Sequence, residues 1–403
     1  MRKEVNKAVM KLSKNYYPLV GLLFLLISAA VVSYFYQVTH GLAATGLREP
    51  VTWGFYVVFS TFFYGLGAGI MMMLMVGLIK KKIQTESTLL YSLAALVSLI
   101  LAGAFIIINL GRPDRFYFIL LHLQPGSPLM RDLFILMFLL TVTVLLGLGQ
   151  LRHIYLDSEL EENASFTERF LYRVITVKRE WKIKESLLKK LYFLLLALIA
   201  GGYLITTEGF AGMQARPEWH TPLVNLSFLL TAALGSISLL ILLESLTGAA
   251  WGTVGENSFF RSGKKLLIVL LLADLAVIGI KYFRDDRLTL IRSIITLFPY
   301  SMESFVLIGN LIPVLLVLSC RKSNNVSERL VPLLILGGAL LKRADFIIPA
   351  YYRRWLPFSI EAIYWPTLPE ILLIAGTFSA GIVALIGAII LVKLVNTTCR
   401  AKQ

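Results

Sequence analysis

The chain has 403 residues, of which 57% are apolar and 16% are charged, and its mean hydropathy is +0.75. Soluble proteins carry roughly 45–50% apolar and about 25% charged residues, so the composition excludes an ordinary water-soluble globule and indicates an integral membrane protein. The net charge of +15 comes from 39 basic and 24 acidic residues. Membrane proteins carry such an excess on cytoplasmic loops, and we therefore expect no nucleic-acid partner.

Ten apolar stretches are long enough to form transmembrane helices, which need about 20 residues each. They cover residues 18–38, 53–79, 89–109, 132–151, 190–208, 222–246, 265–283, 302–319, 330–349 and 370–394. With the N-terminus inside, the inner segments hold 26 of the 39 basic residues. The positive-inside rule therefore predicts a multi-pass protein of the cell membrane with both termini cytoplasmic. The long inner loop, 152–190, is predicted to form an amphipathic helix.

Two blocks of four spans resemble each other. The motif from Asn109 to Arg115 after span 3 is similar to that from Lys281 to Arg287 after span 7. The spacing from Gly201-Gly202 to Trp219 also recurs from Gly337-Gly338 to Trp355. An offset of four spans preserves orientation, which predicts two four-helix bundles related by an axis along the membrane normal; the alternative is chance similarity among apolar helices.

The predicted organisation therefore has four parts. A cytoplasmic tail and first helix (1–45) precede a first four-helix bundle (46–210), which is followed by a second (211–360) and by the last helix with its cytoplasmic tail (361–403). The fold class is all-α integral membrane, with ten transmembrane helices in two parallel-related bundles plus two flanking helices.

Polar residues on four predicted helices lie at a similar depth in the membrane, in the outer half of the first bundle. Ser60 and Tyr64 are four residues apart and therefore share a helix face. These two residues and Thr61 lie roughly 10–17 Å below the start of span 2. The set comprises Ser60, Thr61, Tyr64, Asn109, Glu208 and Asn225. A carboxylate in lipid is costly and is a functional hypothesis by default; the alternative for Glu208 is a carboxylate at the water boundary.

The predicted outer loops add charged and titratable groups. They are Arg112, Asp114, Arg115, His122, Arg131, Arg216 and His220. The second bundle carries further charges, for which internal ion pairing and a proton path are both open: Glu244, Asp274, Glu303, Lys342, Arg343 and Asp345.

The four histidines, His40, His122, His153 and His220, lie at span ends or in loops, which argues against a bis-histidine haem inside the helices. Cys320 and Cys399 are too few to ligate an iron–sulfur cluster, which needs about four thiolates. We predict no metal site. A quinone suits the outer polar layer, because it needs hydrogen-bond partners for each ring oxygen and a group that passes protons to water.

At these residues the sequence resembles the NrfD-like family. The motifs are Trp53-Gly54, Gly65-Leu-Gly67-Ala-Gly69, Asn109-Leu-Gly-Arg112-Pro113 and Pro125-Gly-Ser127-Pro128. The family includes membrane subunits of polysulfide reductase, the hydrogenase-2 type anchor and alternative complex III, and the ten spans are similar to its longer branch.

The resemblance implies a haem-free membrane subunit of an oxidoreductase that binds a menaquinone-like quinone near the outer face, in anaerobic or sulfur respiration with energy coupling in some relatives. It implies an extracytoplasmic ferredoxin-like iron–sulfur partner, which connects to a catalytic redox subunit. Many relatives carry a carboxylate where this chain has Asn109, so Glu208 or Asp114 is the expected proton acceptor. Together with the polar layer and the outer loops, this gives the predicted quinone-binding residues Ser60, Thr61, Tyr64, Asn109, Arg112, His220 and Asn225.

A secondary transporter is the alternative function, because parallel repeats and charges within the membrane also occur in that class. No pair of spans is obviously broken by Gly and Pro at mid-membrane, which favours the redox subunit.

Overall fold

The computed structural model describes residues 17–48, 51–80, 85–156, 185–214, 216, 219–251, 259–284, 303–319, 329–351 and 364–399. This part of the chain is helical, with an isolated bridge between Arg48 and Val51. Its long helices are α1 Tyr17–His40, α2 Phe55–Ile79, α3 Thr85–Ile108, α4 Pro128–Leu156, α5 Glu185–Ala211, α6 Leu223–Trp251, α7 Phe259–Arg284, α8 Glu303–Ser319, α9 Val331–Ile347 and α10 Leu368–Cys399.

Seven of the described helices, α1 to α6 and α10, are long and apolar enough to cross a membrane. This confirms the all-α, multi-pass membrane class that the composition predicts. The count of ten spans, which adds α7, α8 and α9, stays a prediction, as does the cytoplasmic placement of both termini.

The helices form two closed groups, in each of which every helix packs on the next and the last packs back on the first. Helix α2 packs on α3, α3 on α4, α4 on α5, and α5 back on α2; α6, α7, α8 and α9 follow the same order. Helices α2 and α6 lie against each other at the centre, and 72% of the apolar stretch of each is buried, against 17% for α1 and α5. Helix α1 packs along α10, which also touches α3. The reading of these groups as repeats, and the four-part division of the chain, stay predictions.

The Gly65-Leu-Gly67-Ala-Gly69 motif lets two neighbouring helices, α5 and α6, approach α2 closely. A methyl group at Gly65 would lie 3.0 Å from the hydroxyl oxygen of Tyr203 on α5. One at Gly69 would lie 2.7 Å from the carbonyl oxygen of Ala232 on α6. Because a packed core has no room for an added methyl group, the motif fixes the distances between α2 and its neighbours.

A buried carboxylate ties the start of α10 to the segment before α2. Glu370 is 0% exposed and accepts hydrogen bonds from the Tyr364 hydroxyl and from the backbone N–H of Gly46, 3.0 Å away. The Tyr364 oxygen in turn accepts from the N–H of Phe55 at 3.1 Å. Burial raises the pKa of Tyr364, and the nearby Glu370 acts in the same direction. The phenol therefore stays protonated and donates.

Parts of the sequence predictions lie outside the described residues. They are residues 157–184 of the predicted amphipathic loop, the second loop motif from Asp285 onward, Trp355, and both terminal tails.

Candidate functional site

The candidate site lies where α2 begins and where α3 and α5 end, which we call the Trp53 end. Trp53 stacks on Trp219 with ring centroids 5.4 Å apart and meets Phe210 edge-on. Trp219 is 1% exposed, and its indole N–H donates to the carbonyl oxygen of Phe346 at 2.7 Å. This aromatic cluster joins the segment before α2 to the ends of α5 and α9.

Two of the three predicted hydroxyl groups of α2 are bonded to main chain. Ser60 is buried, and its Oγ donates to the carbonyl oxygen of Ala102 on α3 at 3.0 Å. Thr61 Oγ1 donates to the carbonyl oxygen of Val58 in its own helix, also at 3.0 Å. Each has its only hydrogen engaged, so either could contact a ligand only as an acceptor.

Tyr64, the third predicted residue of α2, is hydrogen-bonded to a hydroxyl group of α5. Its Oη lies 3.2 Å from Oγ1 of Thr206. Asp132, near the start of α4 and beside exposed Arg131, lies close to Thr206. Tyr64 is only 7% exposed, whereas Asp132 is half-buried. Polar groups therefore extend from the interior of the α2–α5 group toward its edge.

A buried arginine from the second helix group holds the aromatic partner of Tyr64. Tyr64 stacks on Tyr203 with centroids 5.8 Å apart. Arg343 of α9 is 3% exposed, and its Nη2 donates to the Tyr203 hydroxyl at 2.9 Å and to the carbonyl oxygen of Phe228 at 3.0 Å. Its guanidinium also lies 3.5 Å from the centroid of the Phe228 ring. The position of Tyr64 thus depends on α9 as well as on α5.

Glu208 and Asn225, both predicted site residues, contact each other at the seam between α5 and α6. Asn225 Nδ2 donates to Glu208 Oε2 at 2.8 Å, and Thr207 Oγ1 donates to Asn225 Oδ1 at 2.7 Å. Glu208 is exposed. Thr206 and Thr207 are adjacent, so they point to different sides of α5, and the structure does not join Glu208 to Tyr64.

Asn109 carries an unpaired buried atom. Its side-chain Oδ1 is buried and has no hydrogen-bond partner among the described residues. Asn109 follows Phe105 by one helical turn, and Phe105 stacks on Phe59 and Phe63 of α2. A buried acceptor without a donor is costly, and a ligand hydroxyl at this position would satisfy it.

The other predicted residues lie at the surface of the Trp53 end. Arg112 precedes the 3₁₀ turn Pro113–Arg115, and both Arg112 and Asp114 are exposed. His220 is exposed, and its Nδ1 donates to the carbonyl oxygen of Ala211 at 2.6 Å. An open cavity of about 360 Å³ lies nearby, lined by Phe118, Ile119, His122, Gln124, Ser127, Leu129 and Met130.

Two charged residues of the second helix group, Lys342 and Asp274, form an ion pair within that group. Asp274 is 1% exposed and also accepts from Nδ2 of Asn310 at 3.1 Å. Glu244 accepts from the hydroxyl of Tyr91 on α3. The Lys342–Asp274 contact supports the ion-pairing interpretation for those two residues; the side chain of Glu303 lies outside the described residues. Within the described ranges, no three His, Cys, Asp or Glu side chains group together as metal ligands.

Sequence reasoning missed Asp132 and Thr206. Asp132 stands beside Arg131 near the start of a span, where a mutually paired surface charge is the ordinary interpretation. The run Thr206-Thr207-Glu208 could have indicated Thr206, because it places two hydroxyl groups beside Glu208, the predicted proton acceptor.

Comparison with known proteins gives a family match and two relatives. The family described as polysulphide reductase, NrfD, matches residues 43–353. A candidate membrane subunit of dimethyl sulfoxide reductase from Halobacterium salinarum is 26% identical over 254 residues, which cover 62% of this chain and 56% of that protein. A selenate reductase subunit from Mesobacillus selenatarsenatis is 23% identical over 347 residues, 80% of this chain and 79% of that protein. The chain thus spans little more than half of the first relative.

Proposed function

The chain belongs to the NrfD polysulphide reductase family, as its motifs predicted, and on that premise we propose that it is the quinone-reactive membrane subunit of an oxidoreductase complex. The quinone is menaquinone-like and is a substrate. The subunit itself holds neither haem nor an iron–sulfur cluster.

The observation that carries this proposal is the unpaired buried Oδ1 of Asn109, directly after the end of α3. An amide oxygen only accepts hydrogen bonds, so it suits the O–H group of a reduced quinone. On the α4–α5 side of α2, Tyr64 supplies a hydroxyl that is hydrogen-bonded to that of Thr206. Phe59, Phe63 and Phe105 provide an apolar wall of the kind that a quinone ring requires.

The relatives suggest the direction of electron flow. Both carry the name of a reductase, so we propose that this subunit oxidises quinol and passes the electrons to an iron–sulfur partner of the ferredoxin-like type. The partner docks at the Trp53 end, on the extracytoplasmic side, and connects to a catalytic subunit. The exposed charges of Arg112, Asp114 and Arg115 are suited to that contact.

A photoreactive azidoquinone tests the binding site. In the purified complex, label should appear on peptides of α2 and α3 and should be displaced by a menaquinol analogue. Asn109→Leu should weaken labelling. Ser238→Ala is the matched control, because Ser238 Oγ is also buried and unpaired within the described residues, but lies on α6; it should leave labelling unchanged. Equal labelling of both variants and the wild type would rule out Asn109 as a ligand.

A further inference from the structure

We propose that Gln37 of α1 is a positioning residue for the quinone site: it holds the end of α3, so that the buried side-chain oxygen of Asn109 stays in place to accept from the quinol hydroxyl. The proposal rests on the proposed function and adds to the same site a residue from outside both closed helix groups. Gln37 acts through the main chain of α3 and does not touch the quinol.

Gln37 is buried on a helix that is exposed along most of its length. Only 17% of the apolar stretch of α1 is buried. Gln37 is 3% exposed and is the last of the residues that share the buried face of this helix, which are Leu23, Ala30, Ser33 and Gln37. A buried amide costs free energy unless its donors and its acceptor are hydrogen-bonded, so the contacts of Gln37 decide what it does there.

The amide of Gln37 joins three helices. Its Nε2 donates to the carbonyl oxygen of Ile108 on α3 at 2.7 Å, and its Oε1 accepts from the hydroxyl of Tyr56 on α2 at 2.8 Å. Because a carbonyl oxygen can only accept, the NH₂ group must face Ile108. Ile108 is the last residue of α3, and carbonyl groups in the last turn of a helix lack an intrahelical donor. Gln37 supplies that donor, and Tyr56 fixes the direction of the amide.

The peptide unit that Gln37 contacts is the one that leads into Asn109. Its C=O accepts from Gln37, and its N–H, which belongs to Asn109, donates to the carbonyl oxygen of Phe105 at 3.1 Å. A peptide unit is planar, so hydrogen bonds at both of its polar groups fix the orientation of the backbone from which the Asn109 side chain departs. Without Gln37, this unit keeps only the bond within α3, and the unpaired Oδ1 of Asn109 loses part of its support.

Helix α1 is itself held firmly by α10. A methyl group at Gly376 of α10 would lie 2.2 Å from Cβ of Ala30, so the two helices are in close contact along the buried face of α1. Beyond the end of α1, the hydroxyl of Thr367 donates to the carbonyl oxygen of Ala44 at 2.9 Å. A positioning group needs such a rigid support, and the α1–α10 pair provides it.

Displacement of the azidoquinone label by a menaquinol analogue, in the purified complex, measures the effect on affinity. Gln37→Met keeps the length of the side chain but removes both hydrogen bonds. The analogue concentration for half-displacement should rise about twofold to tenfold, which is the net worth of one hydrogen bond. Tyr56→Phe leaves the bond to Ile108 and should cause a smaller rise. Ser33→Ala, one turn earlier on the same buried face, is the matched control and should leave displacement unchanged.

A double-mutant cycle separates positioning of Asn109 from a general structural role. Once Asn109→Leu has removed the amide oxygen, Gln37→Met should change the affinity little, because residues that act through one another give non-additive losses. Losses that add in the double variant would overturn the proposal. Unaltered displacement in an assembled Gln37→Met complex would also overturn it.

Menaquinol-analogue turnover of the intact complex gives a second readout, with artificial-dye activity of the catalytic subunit as the check on assembly. Gln37→Met should raise KM by a similar factor and keep most of kcat and of the dye activity. A fall in kcat and dye activity with an unaltered KM would overturn the proposal in favour of a structural role. If Gln37→Met does not assemble, Tyr56→Phe takes its place in the cycle. If the analogue does not displace the label from the wild-type complex, the proposed function fails instead.

Discussion

Arg343 donates a hydrogen bond of 2.9 Å to the hydroxyl of Tyr203, across the contact between the two closed groups of helices. No carboxylate forms a salt bridge with Arg343 within the described residues, and it is 3% exposed. A charged group so placed within a membrane protein is costly and marks a functional position by default. Here it holds the ring on which Tyr64 stacks.

Arg343→Met tests the dependence of the site on α9. Methionine fills similar space without the guanidinium, and the carbonyl oxygen of Phe228 keeps its hydrogen bond from the Tyr203 hydroxyl. We therefore expect assembly to persist, while menaquinol turnover falls by about tenfold to 10²-fold because Tyr203 and Tyr64 lose their fixed position. The measurement is turnover against dye activity. Unaltered turnover would show that Arg343 serves packing alone.

Gly65→Ala should destabilise the subunit. The added methyl group would lie 3.0 Å from Tyr203 Oη and 3.5 Å from Nη2 of Arg343, and overpacking of this kind costs roughly 1–3 kcal/mol. Gly201→Ala on α5 is the matched control, because a methyl group there would meet nothing within 4 Å. Thermal unfolding in detergent should separate the two variants. Equal midpoints would contradict the close packing described at Gly65.

Tyr364→Phe should loosen the junction between α10 and the segment before α2. The change removes the donor to Glu370 and the acceptor of the Phe55 N–H, and buried groups left unpaired cost about 1–3 kcal/mol each. Because the pKa of Tyr364 is raised in the folded state and an unfolded tyrosine titrates near about 10, the phenol is protonated in both states below that pH. Titration of Tyr364 itself therefore adds no pH dependence to this loss between about pH 6 and 9. Thermal unfolding at neutral pH measures the loss, and an unchanged midpoint would contradict the hydrogen bonds described for Tyr364.

Cys399, the last residue of α10, reports the orientation. The bias of basic residues toward the predicted inner segments places it in the cytoplasm. A membrane-impermeant thiol reagent should therefore fail to label it in intact cells and should label it after the membrane is opened. Labelling in sealed cells would reverse the predicted topology.

The sequence sufficed for the helical membrane class and for the family, because apolar length and the Gly65–Gly69 and Asn109–Pro113 motifs are local features. It could not determine how each helix is rotated about its axis.

That rotation explains the different environments of the predicted residues. The Ser60 hydroxyl bonds the main chain of α3. Glu208 contacts α6, whereas Thr206, two residues earlier, contacts Tyr64. Side-chain direction on a helix changes by about 100° per residue, so residues that are close in sequence contact different neighbouring helices.

The central claim is that this chain carries electrons from quinol to its partner, and partner reduction tests it most directly. The iron–sulfur centre of the partner subunit should be followed by electron paramagnetic resonance after adding a menaquinol analogue, in the complete complex and in a complex lacking this chain. The account predicts reduction in the complete complex and none without the chain. Equal reduction in both preparations, or none in either while a chemical reductant reduces the centre, would contradict it.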